Sequence, residues 1–139
     1  MTMAARRFGA QSMSSTLRDV LVKRPGPAFG RAYDDPAHGF LHPVDLALAQ
    51  REHDAFTNVL ASLGPTVHVL DVEPATDPDL VYTFDPLLVT DRGAIPLRPG
   101  KPSRADEPYM LEAWTTAAGI PTHGRIEAPG TIEGGDTFW

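Results

Sequence analysis

Four charged side chains in the second half of the sequence could bind a ligand: Asp79, Asp85, Arg104 and Glu133. Asp79 and Asp85 flank residues 80–84, a stretch predicted to be a buried strand, so both carboxylates are expected at its ends and not on its faces. Carboxylates that converge on one opening favour binding of a planar cation with many hydrogen-bond donors. Each carboxylate oxygen can accept a hydrogen bond from a guanidinium N–H group. The residue types therefore predict recognition of a guanidinium-type group.

A pair of glycines, Gly134 and Gly135, follows Glu133 directly. Glycine has no Cβ, so a backbone or a ligand can approach this segment closely. The apolar residues 137–139 then read as the start of a buried strand, and the sequence ends there. We therefore expect this chain to be the front part of a larger protein.

Bulk composition is that of an ordinary globular domain. The chain has 139 residues, of which 42% are hydrophobic and 22% are charged, with a formal net charge of −6. Lysine and arginine are scattered, which argues against a nucleic-acid partner, and no apolar run approaches the roughly 18 residues of a membrane span. Zero cysteines exclude disulfides and thiolate metal sites, so the cytoplasm is the predicted location.

Hydrophobic periodicity and the prolines and glycines divide the chain into elements. Residues 1–15 are predicted to be a flexible leader without a signal peptide, and residues 16–139 to be one domain. The helix predicted over 43–63 has an apolar stripe of Leu46, Ala49, His53, Phe56, Leu60 and Leu63. The other predictions are strands at 16–22, 66–72 and 80–84, a loop at 28–42, a hairpin of 87–90 with 94–97, a helix at 105–118, and strand fragments at 131–132 and 137–139.

This element order predicts an α+β fold. It reads as roughly two copies of a ββαβ unit, the second running from Leu80 to the end. The two copies share almost no sequence identity, so the repeat is a prediction about architecture.

Three segments in this order resemble the guanidine-modifying (pentein) superfamily, and within it dimethylarginine dimethylaminohydrolases and their amidinotransferase-like bacterial relatives. They are residues 77–86 (DPDLVYTFDP), 93–107 (GAIPLRPGKPSRADE) and 130–136 (GTIEGGD). The last segment also resembles arginine deiminases. The resemblance extends over nearly all of residues 16–139.

The resemblance implies a pentein fold, a five-bladed α/β propeller of ββαβ units, of which this chain would form about two. It also implies attack of a Cys thiolate on the guanidinium carbon of an arginine-type substrate, with help from a His. Asp85 would hold the guanidinium nitrogens, and Glu133 would be the acidic member of the catalytic group. Asp79 and Arg104 would line the substrate site, Arg104 contacting the amino-acid carboxylate. No cofactor is expected, and no metal is predicted, because His38 and His42 have no evident third ligand in the sequence.

Two departures separate this chain from the family pattern. Phe84 stands where dimethylarginine hydrolases often have an acidic residue, which leaves the choice among guanidine substrates open. The family's catalytic His and Cys lie beyond the Gly-Gly-Asp segment, this chain has no cysteine, and none of its five histidines matches the family His. Without a thiolate the covalent route is closed to this chain by itself.

Simpler interpretations stay open beside these. Asp79 and Asp85 each adjoin a proline, so both could serve only as turn residues, and Arg104 could serve only as a helix-terminal ion-pair partner. Besides the hypothesis of an incomplete enzyme, two alternative functions of the chain stay open. One is a half-enzyme that pairs with itself or with a complementing C-terminal half, because unpaired strand edges recruit partners. The other is a non-catalytic module that binds arginine-type ligands.

Overall fold

The structure is a computed structural model that describes residues 8–9 and 11–139. Most of the predicted leader therefore lies outside the described residues. The chain divides into two compact units. We call Leu17–Thr83 the first unit, and Phe84–Trp139, with the described residues before Leu17, the second unit. None of the helices in the described part of the chain has the length and apolarity that crossing a membrane requires.

The first unit is built on a strand–helix–strand arrangement. Strand β1 (Asp19–Val22) lies parallel to β2 (Thr66–Val69), and Asp19 is in register with Thr66. Parallel strands need a long crossover connection, which here contains the short helix α1 (Pro27–Gly30) and the long helix α2 (Leu46–Ser62). The predicted strands at 16–22 and 66–72 are confirmed in part, the first at its C-terminal end and the second at its N-terminal end.

Helix α2 is confirmed, but it begins later than predicted. Asp45 is its N-cap, and the Asp45 carboxylate accepts a hydrogen bond from the Leu48 amide at 2.9 Å. Of the predicted apolar stripe, Phe56 and Leu63 are 55% and 75% exposed. The half-buried arc of the helix is shifted from the predicted stripe and also includes Gln50 and Thr57, because 3.6 residues per turn carry Phe56 and Leu63 past its edge.

One other prediction for the first unit holds only in part, and another is wrong. The predicted loop at 28–42 contains the end of α1 and two 3₁₀ turns, Ala32–Asp34 and Pro36–His38. The predicted strand at 80–84 is a 3₁₀ turn, Asp79–Val81, followed by irregular chain. The Asp77 carboxylate accepts from the Asp79 amide at 3.1 Å, and this local bond favours a turn over extended pairing.

The second unit is built on an antiparallel hairpin, as predicted. Strands β3 (Leu87–Thr90) and β4 (Gly93–Pro96) are joined by a two-residue turn, and Leu87 is in register with Pro96. Helix α3 (Glu107–Ala117) confirms the predicted second helix and packs on this hairpin. The core between them contains Leu87, Ala94, Leu97 and Leu111, all at most 6% exposed.

The C-terminal segment only partly follows the prediction. Ile132 pairs with Arg98 in an isolated antiparallel bridge, next to a 3₁₀ turn at Gly134–Asp136. Residues 137–139 form no strand, and Phe138 and Trp139 are 86% and 51% exposed. The prediction of a buried strand here is wrong, because the apolar pattern has no partner strand among the described residues. The described architecture is a mixture of helices and strands, as the α+β prediction requires.

Candidate functional site

Asp85 is positioned by the hairpin. It lies just before β3, and the antiparallel pairing continues past the strands, since the Leu97 amide donates to the Pro86 carbonyl at 2.9 Å. In an antiparallel pair, the residues that precede one strand lie beside those that follow its partner. The hairpin therefore places Asp85 at the same end as the loop that follows β4.

Glu133 is brought to this end by a second set of backbone bonds. The Ile132 amide donates to the Arg98 carbonyl at 2.9 Å, and the Arg98 amide donates to the Ile132 carbonyl at 3.2 Å. The Glu133 Oε1 atom accepts from the Gly100 amide at 3.2 Å. Glu133 is therefore held against the loop that follows β4, where Asp85 also lies.

Gly134 is needed for a close contact between its own segment and the backbone of residues 84–85. A Cβ on Gly134 would lie 2.0 Å from the Phe84 carbonyl oxygen, and the Gly134 amide donates to the Asp85 carbonyl at 2.9 Å. The Gly135 amide donates to Asp85 Oδ1 at 3.1 Å. The interpretation of these glycines as a point of close approach is confirmed, and it is the backbone at 84–85 that approaches.

Arg104 joins the two carboxylates. It ends a 3₁₀ turn, Pro102–Arg104, that leads into α3. Its Nη1 atom donates to Asp85 Oδ2 at 3.2 Å and lies 3.5 Å from Glu133 Oε2. The structure therefore brings three of the four predicted site residues together within one unit.

Glu107 is a fourth member that the sequence analysis did not identify. Arg104 Nε donates to Glu107 Oε1 at 2.7 Å, and Arg104 Nη2 donates to Glu107 Oε2 at 2.8 Å, which makes a bidentate pair. The spacing of an arginine and a glutamate three apart at a helix start is a usable signal, because such residues face one another. The Gly100 amide has no comparable signal in the sequence.

The four side chains of this cluster differ in how deeply they are buried. The Glu107 and Arg104 side chains are 1% and 4% exposed, whereas those of Asp85 and Glu133 are 20% and 31% exposed. We call Asp85 and Glu133 the rim carboxylates. With three carboxylates and one guanidinium, the ionised cluster carries a net charge of −2 (−3 + 1). The rim thus presents acceptors and negative charge to solvent.

The ionisation of Arg104 is secured by its partners. Burial by itself disfavours the charged guanidinium and lowers its pKa. The hydrogen bonds and charge of Glu107, and then those of Asp85, outweigh burial, so that the pKa of Arg104 is raised above its ordinary value. The guanidinium is therefore a permanent cation within the cluster.

Asp79 lies in the first unit, whereas Asp85, Arg104 and Glu133 lie in the second. It is 4% exposed and begins the 3₁₀ turn that replaces the predicted strand. Its part in ligand binding stays a prediction. No group of three or more His, Cys, Asp or Glu residues in the described ranges could hold a metal ion.

Comparison with known proteins finds dimethylarginine dimethylaminohydrolases among the relatives of this chain. No family model matches the chain. A dimethylarginine dimethylaminohydrolase of Pseudomonas aeruginosa is 37% identical over 92 residues, which is 66% of this chain and 36% of the relative. One of Streptomyces coelicolor is 33% identical over 122 residues, which is 87% of this chain and 45% of the relative.

A solved structure agrees with these matches. It is the Pseudomonas aeruginosa enzyme as a cysteine-to-serine mutant complexed with citrulline, with a TM-score of 0.71 and 32% identity over 88% of this chain and 46% of that one. This chain thus spans less than half the length of the relatives it matches, which fits the prediction that it corresponds to part of such an enzyme. Over most of its length the chain is thus similar to dimethylarginine dimethylaminohydrolases, which are proteins of the guanidine-modifying (pentein) superfamily.

Proposed function

We propose that this chain supplies the guanidinium-binding carboxylates of a dimethylargininase-like or amidinotransferase-like enzyme. Asp85 binds the guanidinium nitrogens of an arginine-type substrate, and Glu133 binds the same group as the acidic member of the catalytic set. The Cys nucleophile and the catalytic His come from outside these 139 residues, because the sequence contains no cysteine. Whether water or an amine then accepts the group bound to the cysteine depends on the part of the enzyme that supplies the Cys and the His.

One observation carries the proposal. Asp85 and Glu133 come from different loops, and both lie within reach of a single guanidinium nitrogen, the Arg104 Nη1 atom. Two carboxylates that approach one such nitrogen are spaced for a planar, multi-donor cation. They are also the more exposed members of the cluster, so oxygen lone pairs remain available at the rim. The structural relative that binds citrulline supports a ligand of this shape.

The chemical role of the rim carboxylates follows from their charge. Fixed negative groups favour a cationic substrate, and they stabilise the charge that shifts on the guanidinium when its carbon is attacked. Backbone amides of Gly100 and Gly135 hold one oxygen of each carboxylate, so little reorganisation is needed during the reaction. These residues bind and orient the substrate, and the bond-making group is not among them.

Calorimetry with L-arginine and with dimethylarginine tests the proposal. We expect saturable binding by the 139-residue chain and at least about tenfold weaker binding by Asp85→Asn, since a hydrogen bond to a charged group contributes about 1.5–3 kcal/mol. Asp91→Asn is the matched control, because Asp91 carries the same charge in the hairpin turn of the same unit. Equal affinities for the two variants would contradict the role of Asp85.

A second candidate is a binding module without catalysis. The absence of cysteine favours it for the isolated chain, because the covalent route requires a thiolate. It predicts ligand binding without citrulline release, and measurable citrulline release would exclude it. The half-enzyme alternative predicts activity only after a complementing C-terminal half is added, or after self-association.

The remaining proposals concern the whole protein. The described strands belong to about two ββαβ units of a five-unit propeller, with Asp79 as a further substrate contact. The protein is cytoplasmic and uses no cofactor. Asp79→Asn, measured in the same calorimetric series, tests the assignment of Asp79, and an unchanged affinity would remove it from the site.

A further inference from the structure

We infer that Phe84 is a specificity-determining residue of the site, and that its ring binds the flat face of the ligand's guanidinium group through a cation–π contact. The inference rests on the proposed function, because it assumes that Asp85 and Glu133 bind that group. It adds an aromatic contact that distinguishes a charged guanidinium group from the neutral ureido group of citrulline.

The two glycines that follow Glu133 bring the Phe84 ring to the rim carboxylates. A Cβ at Gly134 would lie 3.0 Å from the Phe84 Cδ1 atom, and a Cβ at Gly135 would lie 3.2 Å from Asp85 Oδ1. The edge of the ring and the Asp85 carboxylate therefore lie against consecutive residues. The ring is thus placed beside a segment that carries one rim carboxylate and holds the other.

The Phe84 ring is open to a ligand. Phe84 is 50% exposed, whereas Pro86 and Gly134 close to it are buried. Within the described ranges, the ring forms no aromatic pair, and no cation of the chain lies over it. The Tyr109 ring of the same unit differs, because the Arg125 guanidinium lies over it at 5.1 Å from the centroid. The described part of the chain therefore supplies a cation for the Tyr109 ring and none for the Phe84 ring.

A guanidinium group has the chemistry that this combination of side chains binds. Its edge carries N–H donors that carboxylates accept in the plane of the group, and its weakly hydrated face stacks on aromatic rings. Asp85 and Glu133 can accept from the edge while Phe84 covers one face. The negative face of the ring attracts a cation, and a neutral ureido group has the same planar shape without the charge.

This contact favours the substrate over a neutral product. Where water is the acceptor, hydrolysis of a guanidinium group gives a neutral ureido group and an ammonium ion. The ring and the rim carboxylates then lose their attraction for the part of the ligand that they held. Phe84 therefore contributes to tight binding of the charged ligand without an equal gain for the product.

NMR titration with L-arginine and L-citrulline tests the contact, because the two ligands share a planar end group and differ in its charge. For Phe84→Leu we expect the affinity for L-arginine to fall by about two- to fivefold and that for L-citrulline to stay unchanged. Phe84→Tyr keeps the ring and should keep both affinities. Phe138→Leu is the matched control, since it makes the same change at a phenylalanine of the same unit that is 86% exposed.

Equal losses for L-arginine and L-citrulline would show that the ring contributes shape alone, and they would overturn the inference. A loss for L-arginine no larger than that of Phe138→Leu would overturn it as well, and so would an equal loss for Phe84→Tyr and Phe84→Leu. Should Phe84→Leu fail to fold, the ring signals of the wild-type chain decide the question. Saturation with L-arginine should shift the Phe84 ring protons, and unmoved signals would contradict the contact.

The Asp85→Asn variant separates this inference from the proposed function. If Asp85→Asn weakens the binding of L-arginine and Phe84→Leu does not, the proposed function holds and the aromatic contact is refuted. A wild-type chain that binds neither ligand would refute the proposed function, and the aromatic contact with it.

Discussion

The buried Arg104–Glu107 pair predicts a large loss of stability for Glu107→Gln. Glu107 is 1% exposed, and both of its oxygens accept hydrogen bonds from Arg104. Removing one partner of a buried ion pair costs about 3–5 kcal/mol of unfolding free energy, because the other charge stays buried. Glutamine keeps one carbonyl acceptor, and Asp85 still pairs with Arg104, so we expect the lower end of this range, about 3 kcal/mol.

The Glu112–Arg125 pair of the same unit provides the matched control. Its side chains are 21% and 30% exposed, and solvent therefore screens the interaction. We expect Glu112→Gln to cost at most about 1 kcal/mol. The two variants remove the same charge by the same chemical change, so the difference between them measures burial.

Urea denaturation followed by tryptophan fluorescence suits this comparison. The chain has two tryptophans, Trp114 and Trp139, and both lie in the unit that contains the pair. With a denaturant slope of about 1–3 kcal/mol per molar urea, the midpoint should fall by roughly 1–3 M for Glu107→Gln. A shift no larger than that of Glu112→Gln would refute the view that the cluster is a buried, coupled unit.

Three further predictions concern packing and pH. Gly134→Ala should lower the unfolding free energy by about 1–3 kcal/mol in urea denaturation, because its Cβ would lie 2.0 Å from the Phe84 carbonyl oxygen. Gly100→Ala is the control, since a Cβ at Gly100 would meet no atom within 4 Å. Equal losses of unfolding free energy for the two variants would contradict the contact at Gly134. Burial lowers the pKa of His53, so its NMR titration midpoint should lie below about 6.5. Its stabilising contribution is then present above that pH and is lost as the pH falls through the lowered pKa, and a midpoint above 6.5 would contradict its burial. A hydrogen bond from Thr122, and then one from Arg125, lower the pKa of Glu112. The contribution of Glu112 to the unfolding free energy is therefore present above about pH 4.3 and declines below it. Glu112→Gln should accordingly make the unfolding free energy less dependent on pH in the acid range.

Local signals in the sequence predicted most of the elements. The 3.6-residue period of α2, its Asp45 cap and the turn between β3 and β4 all depend on residues close together in the chain. The same kind of evidence failed at residues 80–84. There the apolar pattern suits a strand, but the Asp77 carboxylate bonds to the Asp79 amide and favours a turn.

The sequence by itself predicts that Asp85, Arg104 and Glu133 belong, with Asp79, to one site, because charged residues at element ends and the order of three motifs are visible without a structure. Only the tertiary structure decided how they are arranged. It showed that Glu107 anchors Arg104, and that Gly134 lies against the backbone of Phe84, far away in the chain. Which charge is buried and which faces solvent depends on packing among distant segments, and neither residue type nor spacing carries that information.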